Sequence, residues 1–297
     1  MKILVTGANG LLGQHVVKML LQNSNYQVMA TSKGQCRLPF NTNKNFEYAT
    51  LDITDEKAVH NCLQAFKPAA IIHTAAITQP DPCELDTITC WTTNVTATQF
   101  LIDAATVINA YFLYISTDFV FDGLHGPYKE TDTTNPVNFY GTSKLAAEKL
   151  VVNSLLQWSI VRTVLVFGNI LVGNRSNIIS WVKDNLKQNK SIKVVTDQWR
   201  TPTYVEDLAT GILLVLQKQA IGIFHIAGKQ GMSPYDMAIA TANYLQLDTT
   251  LITKVTADTF TQPAVRPLKT GFVIDKAIVE LNYQPISFEV ALKAMLG

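Results

Sequence analysis

Residues 1–13 read MKILVTGANGLLG: a strand-like apolar run that enters a turn with glycine at Gly7, Gly10 and Gly13. Glycine reaches backbone angles closed to other residues and lets a second backbone or a ligand come close. Where a helix starts inside such a turn, its first N–H groups and positive dipole end point at one spot. That spot suits a pyrophosphate. A glycine triplet alone is weak evidence, but its place at a strand-to-helix junction gives it weight. The contacts expected for a dinucleotide here are Gly7, Asn9, Gly10, Leu11, Leu12 and Gly13.

Outward from this turn, short runs rich in Val, Ile and aromatics predict strands at 2–6, 26–31, 46–51, 70–74, 111–116 and 159–166. Helical patterns lie between them at 11–22, 55–66, 84–107 and 140–156. Strand and helix in alternation imply a parallel sheet covered on both faces, a doubly wound α/β fold. After residue 167 the rhythm loosens: Asn, Gly and Gln punctuate 168–177, and Pro202, Pro234, Pro263 and Pro267 mark loops. Helices are still expected at 207–217 and 233–245. The expected organisation is a dinucleotide-binding domain over 1–166, with a segment near 202–216 returning to it. Residues 167–297 then form, for the most part, a smaller substrate-binding lobe.

With 297 residues and 47% hydrophobic content the chain can bury a sizeable core. A net charge of +1 gives no reason to expect nucleic acid or an anionic membrane surface. The opening residues read as a strand rather than a signal peptide. The apolar stretch 160–173 is interrupted by Arg162 and Asn169 and is too short to span a bilayer. A soluble cytoplasmic protein is expected. Cys36, Cys62, Cys83 and Cys90 form no CxxC pair and no His/Cys cluster with metal-ligand spacing. Reduced thiols and no bound metal follow as expectations.

The choice of cofactor can be read from the second strand. An NAD site usually ends that strand with an acidic residue on the ribose 2′-OH. Here Ser32 and Lys33 follow it, and the first acidic residue of the chain is Glu47. Ser32, Lys33 and Arg37 stand where a 2′-phosphate would bind, so NADPH is expected, with NADH the alternative. Asp52, beside Ile53 at the end of the third strand, has two readings: a contact to the adenine amino group, or a cap on the next helix.

Tyr140 and Lys144 are four apart and share one helix face. A free phenol titrates near pH ~10, and a neighbouring ammonium favours the phenolate. That pairing suits proton transfer to or from a carbonyl oxygen. A third hydroxyl is needed at the C-terminal end of strand 111–116, where ligands sit in an open sheet. Ser116 and Thr117 both lie there, and chemistry alone does not separate them.

TGANGLLG (6–13), ISTDFVFDG (115–123), GPYKETDTTNPVNFYGTSKLAAE (126–148) and WRTPTYVEDLA (199–209) resemble the extended short-chain dehydrogenase/reductase superfamily. Within it they resemble the dTDP-4-dehydrorhamnose reductase family. The likeness runs from Met1 to about Asp207 and returns at Arg266–Pro267. It implies a Rossmann-type fold and a Thr/Tyr/Lys triad on Thr117, Tyr140 and Lys144. It also implies NADPH-dependent reduction of a 4-keto-6-deoxysugar carried on a nucleotide, with Asp118 and Phe119 beside the sugar. Asn94, in TTNVTAT (92–98), matches the superfamily's helix asparagine, and Thr74, Ala75 and Ala76 match the strand end that lines the cofactor. Homodimers are common among such folds.

Four residues depart from the family pattern and bear on substrate identity. Phe119 stands where tyrosine is frequent, Thr142 where arginine or lysine is frequent, and Trp199–Arg200 where a smaller pair is usual. Arg200 and Arg266 can grip a diphosphate, since guanidinium binds phosphate oxygens bidentately. Two other readings compete. Sugar-nucleotide dehydratases carry glutamate after the Thr-Asp pair, where this chain has Phe119, and many epimerases and dehydratases recycle a held NAD. The non-catalytic beta subunit of methionine adenosyltransferase also resembles this family, and implies an NADP-binding regulatory subunit instead.

Overall fold

The computed structural model describes residues 1–174 and 176–297. The first half of the chain runs β1 (Lys2–Thr6), α1 (Leu11–Leu20), β2 (Gln27–Ser32), β3 (Phe46–Thr50) and α2 (Glu56–Phe66). It continues through β4 (Ala70–His73), α3 (Pro80–Leu85), α4 (Thr87–Trp91), α5 (Ala97–Ile108), β5 (Tyr111–Thr117), α6 (Phe139–Val152) and β6 (Trp158–Thr163). The second half adds β7 (Val166–Phe167), α7 (Ile178–Lys187), β8 (Ile192–Val195), β9 (Thr203–Tyr204) and α8 (Val205–Lys218). It ends with β10 (Gly222–His225), α9 (Pro234–Tyr244), β11 (Ile252–Val255), α10 (Asp275–Leu281) and α11 (Phe288–Leu296).

Seven strands form one parallel sheet in the order β10-β6-β5-β4-β1-β2-β3. The strand order reverses between β1 and β4, which opens a crevice at their C-terminal ends. Side-chain alternation along β1 divides the core. Ile3 and Val5 join the cluster under α1 and α8, while Leu4 joins the one under α2, α5 and α6. The α/β doubly wound class read from the sequence is the observed one.

Several elements differ from the sequence expectations. The single helix expected over 84–107 is broken. Asp86 leaves helical geometry and caps α4 by accepting from the Thr89 N–H at 3.0 Å, and a π-helical turn at Thr92–Thr96 precedes α5. The strand expected over 159–166 stops at Thr163, because Leu165 adopts a φ of 37° and turns the chain before β7. The helix expected over 140–156 ends at Val152.

Beyond residue 167 the chain returns to the sheet. Leu208, Ile212 and Val215 of α8 share a core with Val16, Val17 and Leu20 of α1, and Ala277 and Leu281 of α10 join them. β10 adds the seventh strand beside β6. α7, α9 and the parallel pair β8–β11 build a lobe around Val182, Leu186, Ala238 and Ala242. Among the described residues, no helix is long and apolar enough to cross a membrane, and no three potential metal ligands gather.

Candidate active site

A cleft of about 710 Å³ lies along the C-terminal ends of the strands. Its floor is the β1–α1 turn. Gly7 has a φ of +67°, and a Cβ there would come within 2.7 Å of the Ala75 nitrogen. A Cβ on Gly13 would come within 2.4 Å of the Gly7 carbonyl oxygen, so the third glycine seats α1 directly on the turn. α1 starts after Gly10 with no capping side chain and no acidic residue in its first turn. Gly10, Leu11, Leu12 and Gly13 line the cleft, so the free N–H groups of a helix start face it. These residues fit a pyrophosphate.

Asn9 and Arg37 are not brought into the cleft wall. The Asn9 side chain donates to the Gln35 carbonyl (2.9 Å) and accepts from the Arg37 N–H (3.0 Å), pinning the loop after β2 to the turn. The Arg37 side chain is exposed. Ser32 and Lys33 do line the cleft. Lys33 Nζ lies 2.8 Å from Asp52 Oδ2, and that bond, with those from Thr54, holds the Asp52 carboxyl down at about 2. The helix-capping role weighed for Asp52 belongs to Asp55, which accepts from the Ala58 N–H that opens α2. Asp52 instead closes a turn onto Thr54, next to Ile53, and all three face the cleft.

From β4, Thr74, Ala75 and Ala76 form the adjoining wall. Beneath them His73 is buried, bonded to Thr6 Oγ1 at 2.7 Å and to Thr98 Oγ1 at 3.1 Å. Burial, reinforced by the Lys144 charge, pushes its pKa down to about 3, so it braces the sheet as a neutral ring.

β5 and α6 supply the third wall. Asn138 caps α6 by accepting from the Gly141 N–H at 2.8 Å, which fixes the first turn carrying Tyr140. Burial raises the Tyr140 phenol above its usual range, and the Thr117 hydroxyl beside it pulls the other way. One turn on, Lys144 is 3% exposed. Its Nζ donates to the Ile115 carbonyl (2.7 Å) and sits 4.1 Å above the Tyr114 ring. Burial pushes its pKa down to about 7, against the pull of Glu148. Glu148 is itself gripped through both oxygens by Arg162 (2.9 and 2.6 Å).

Asn94 lies behind this wall rather than in it. It accepts from the Ile77 N–H (2.8 Å) and donates to the Ile77 carbonyl and to Ser143 Oγ (both 3.0 Å). The loop after β4 is thereby tied to α6 between Tyr140 and Lys144. A π-helical turn places this asparagine, as such turns often do at working sites.

Asp118 lies in the cleft wall, but its carboxylate is buried and turned to protein groups. It accepts from Thr117 Oγ1 (3.1 Å) and from Thr270 Oγ1, and faces Arg200 Nε at 3.5 Å. Burial raises its pKa and Arg200 opposes the rise. Phe119 packs edge-on against Tyr140, ring centres 5.7 Å apart. Arg200 corrects its sequence reading. It lines the cleft, yet it donates to the carbonyls of Trp199 and Leu268 (both 2.9 Å) and Pro267 (2.6 Å). A buried guanidinium needs such partners, so Arg200 holds the 267–268 backbone over the cleft instead of offering a bidentate face to phosphate. Arg266 reaches the cleft from the same loop and pairs bidentately with Asp81, Nη2 to Oδ2 at 2.7 Å.

Sequence reasoning missed what the second half brings to the cleft. Gln198, Pro234, Leu165 and Val166 all line it. The loop 264–270 hangs over it from Asp81, Asn138, Arg200 and Asp118. The motif around 199–209 marked the region but carried no sign of these long-range bonds.

A family model described as the RmlD substrate binding domain matches residues 1–297. The dTDP-4-dehydrorhamnose reductase of Aggregatibacter actinomycetemcomitans is 32% identical, covering 98% of this chain and 97% of its own length. Methionine adenosyltransferase 2 subunit beta of Bos taurus is 33% identical over 86% of this chain and 75% of its own. Among solved structures, a dTDP-4-dehydrorhamnose reductase from Clostridium acetobutylicum matches with a TM-score of 0.87 at 31% identity, covering 100% of this chain and 98% of that one. Another from Bacillus anthracis, in complex with NADP, gives 0.86 at 27%, covering 99% and 98%.

Proposed function

This chain belongs to the RmlD substrate-binding domain family, and from that premise we propose that it uses NADPH to reduce the 4-keto group of a nucleotide-linked 6-deoxysugar. The observation that carries the reading is one cleft with two working walls. A glycine turn and bare helix start suited to a pyrophosphate lie on one side, and Thr117, Tyr140 and Lys144 lie on the other. In this reading the sheet half of the chain holds the cofactor and the lobe built mostly from residues 167–297 holds the sugar nucleotide.

NADPH supplies the hydride. Tyr140, kept protonated by burial, gives its phenolic proton to the oxygen of the reacting carbonyl. The Lys144 ammonium, fixed by the Ile115 carbonyl, stabilises the phenolate left behind. Thr117 turns its hydroxyl hydrogen from Asp118 to the same oxygen as charge builds on it. Lys33 and Ser32 receive the 2′-phosphate, and Arg266 exchanges Asp81 for the substrate's diphosphate.

The test follows NADPH absorbance with enzymatically prepared dTDP-4-keto-6-deoxysugar. Steady oxidation is expected, and Tyr140→Phe should retain NADPH binding while turnover drops at least about a hundredfold. Near-normal turnover in that variant removes the proton-donor role. Binding without any oxidation shifts the reading to an NADP-binding regulator, the role the sequence also resembles.

A further inference from the structure

Ser116 is 3% exposed and lines the cleft one residue before Thr117. Its hydroxyl is buried and has no hydrogen-bond partner among the described residues. Of the neighbouring hydroxyls, Ser143 donates to the Tyr140 carbonyl and Thr74 to the Thr6 carbonyl, while the Tyr114 phenol on the same strand is buried and, like Ser116, without a partner among the described residues. A buried hydroxyl without a partner is a net cost to the fold, and native proteins keep few of them. Alternation along β5 puts Ser116 on the face of Phe112 and Tyr114, the face on which the Lys144 ammonium lies.

The position along the sheet tells which part of a bound dinucleotide would meet it. The pyrophosphate turn is at β1, and the 2′-phosphate residues follow β2, on the far side of β1 from β4 and β5. The opposite half of the molecule therefore runs past β4 toward β5, where Ser116, Tyr140 and Lys144 converge. We propose that the Ser116 hydroxyl hydrogen-bonds the nicotinamide nucleoside of the cofactor, through its carboxamide or its ribose, and so sets the ring for hydride transfer. This rests on the dinucleotide reading of the cleft.

The test compares Ser116→Ala with the parent chain by titrating three probes that share the adenosine 2′-phosphate: NADPH, 2′-phospho-ADP-ribose and adenosine 2′,5′-bisphosphate. NADPH affinity is expected to fall roughly five- to tenfold, the scale of one net hydrogen bond. The bisphosphate, which lacks the nicotinamide nucleoside, should bind unchanged. An unchanged 2′-phospho-ADP-ribose places the bond on the carboxamide, and a weakened one places it on the ribose; either supports the proposal. Equal loss with all three probes, or loss with none, overturns it. Melting of the ligand-free variant gives a second readout. Because no partner is removed, Ser116→Ala should melt no lower than the parent, whereas a structural hydroxyl would lower the transition. Should the parent chain bind none of the probes, the dinucleotide reading itself fails, a result distinct from all of these.

Discussion

At Lys33 the chain holds a cation where the second strand ends, and Asp52 keeps it 2.8 Å away across an open surface. Such exposed pairs contribute little, being screened and entropically costly, so an incoming phosphate can displace the carboxylate. Lys33→Ala should weaken NADPH about tenfold and leave NADH within about twofold, as fluorescence titration would read. Equal losses for both would falsify the 2′-phosphate assignment. The placement of such residues in the cleft was legible in the sequence because it is local. The Gly7–Gly13 turn and the Tyr140–Lys144 spacing each fit within a few residues. The ties that Arg200 and Arg266 make were not legible, since their partners stand far off in sequence: Pro267 for one, and for the other Asp81, 185 residues away.

Elements show the same division. β1 to β6 announced themselves as short runs of branched and aromatic residues bounded by turns, and each lies within a residue or two of its expected start. β10, only GIFH, is too short to separate from loop by pattern, and its place is set by pairing with β6. The break at Asp86 hides for a different reason, because the flanking residues keep a helical pattern across it. α6 shows how one such local device serves the site. Asn138 accepts from the Gly141 N–H and donates to the Val265 carbonyl at 2.7 Å, joining the start of the helix that carries Tyr140 and Lys144 to the loop over the cleft. Asn138→Ala should cost about 1–2 kcal/mol of stability, the scale of a lost cap, and should lower turnover with little change in NADPH affinity. Asn138→Asp keeps the capping oxygen but cannot donate to Val265, so it should recover the melting temperature without recovering turnover. If Asp restores both, the tie to the loop has no part in function.

Over the whole molecule, the core under α1 and α8 draws on both ends of the chain, from Ile3 to Phe272 and Tyr283. Sheet and returning segments therefore share one core, and one melting transition reports on the region that carries the site. Within that shared frame the chain buries an ammonium. Lys144 loses solvent on folding, so its folded pKa falls to about 7 from an ordinary value of 10.5. Below pH 7 both folded and unfolded chains carry the proton, and the fold bears the full cost of the buried charge. Between 7 and 10.5 the unfolded chain keeps the proton while the folded chain has released it. Stability from this group therefore rises with pH across that window. Lys144→Met removes the group and should flatten the rise: the variant gains on the parent most below pH 7 and loses that advantage toward pH 10. The measurement is ligand-free melting of both proteins at stepped pH between 6 and 10. A difference that stays constant with pH means the lysine is not destabilised by burial. A shrinking difference, together with turnover lost at pH 6 to 7, where the parent carries the charge, identifies an ammonium kept against the interest of the fold.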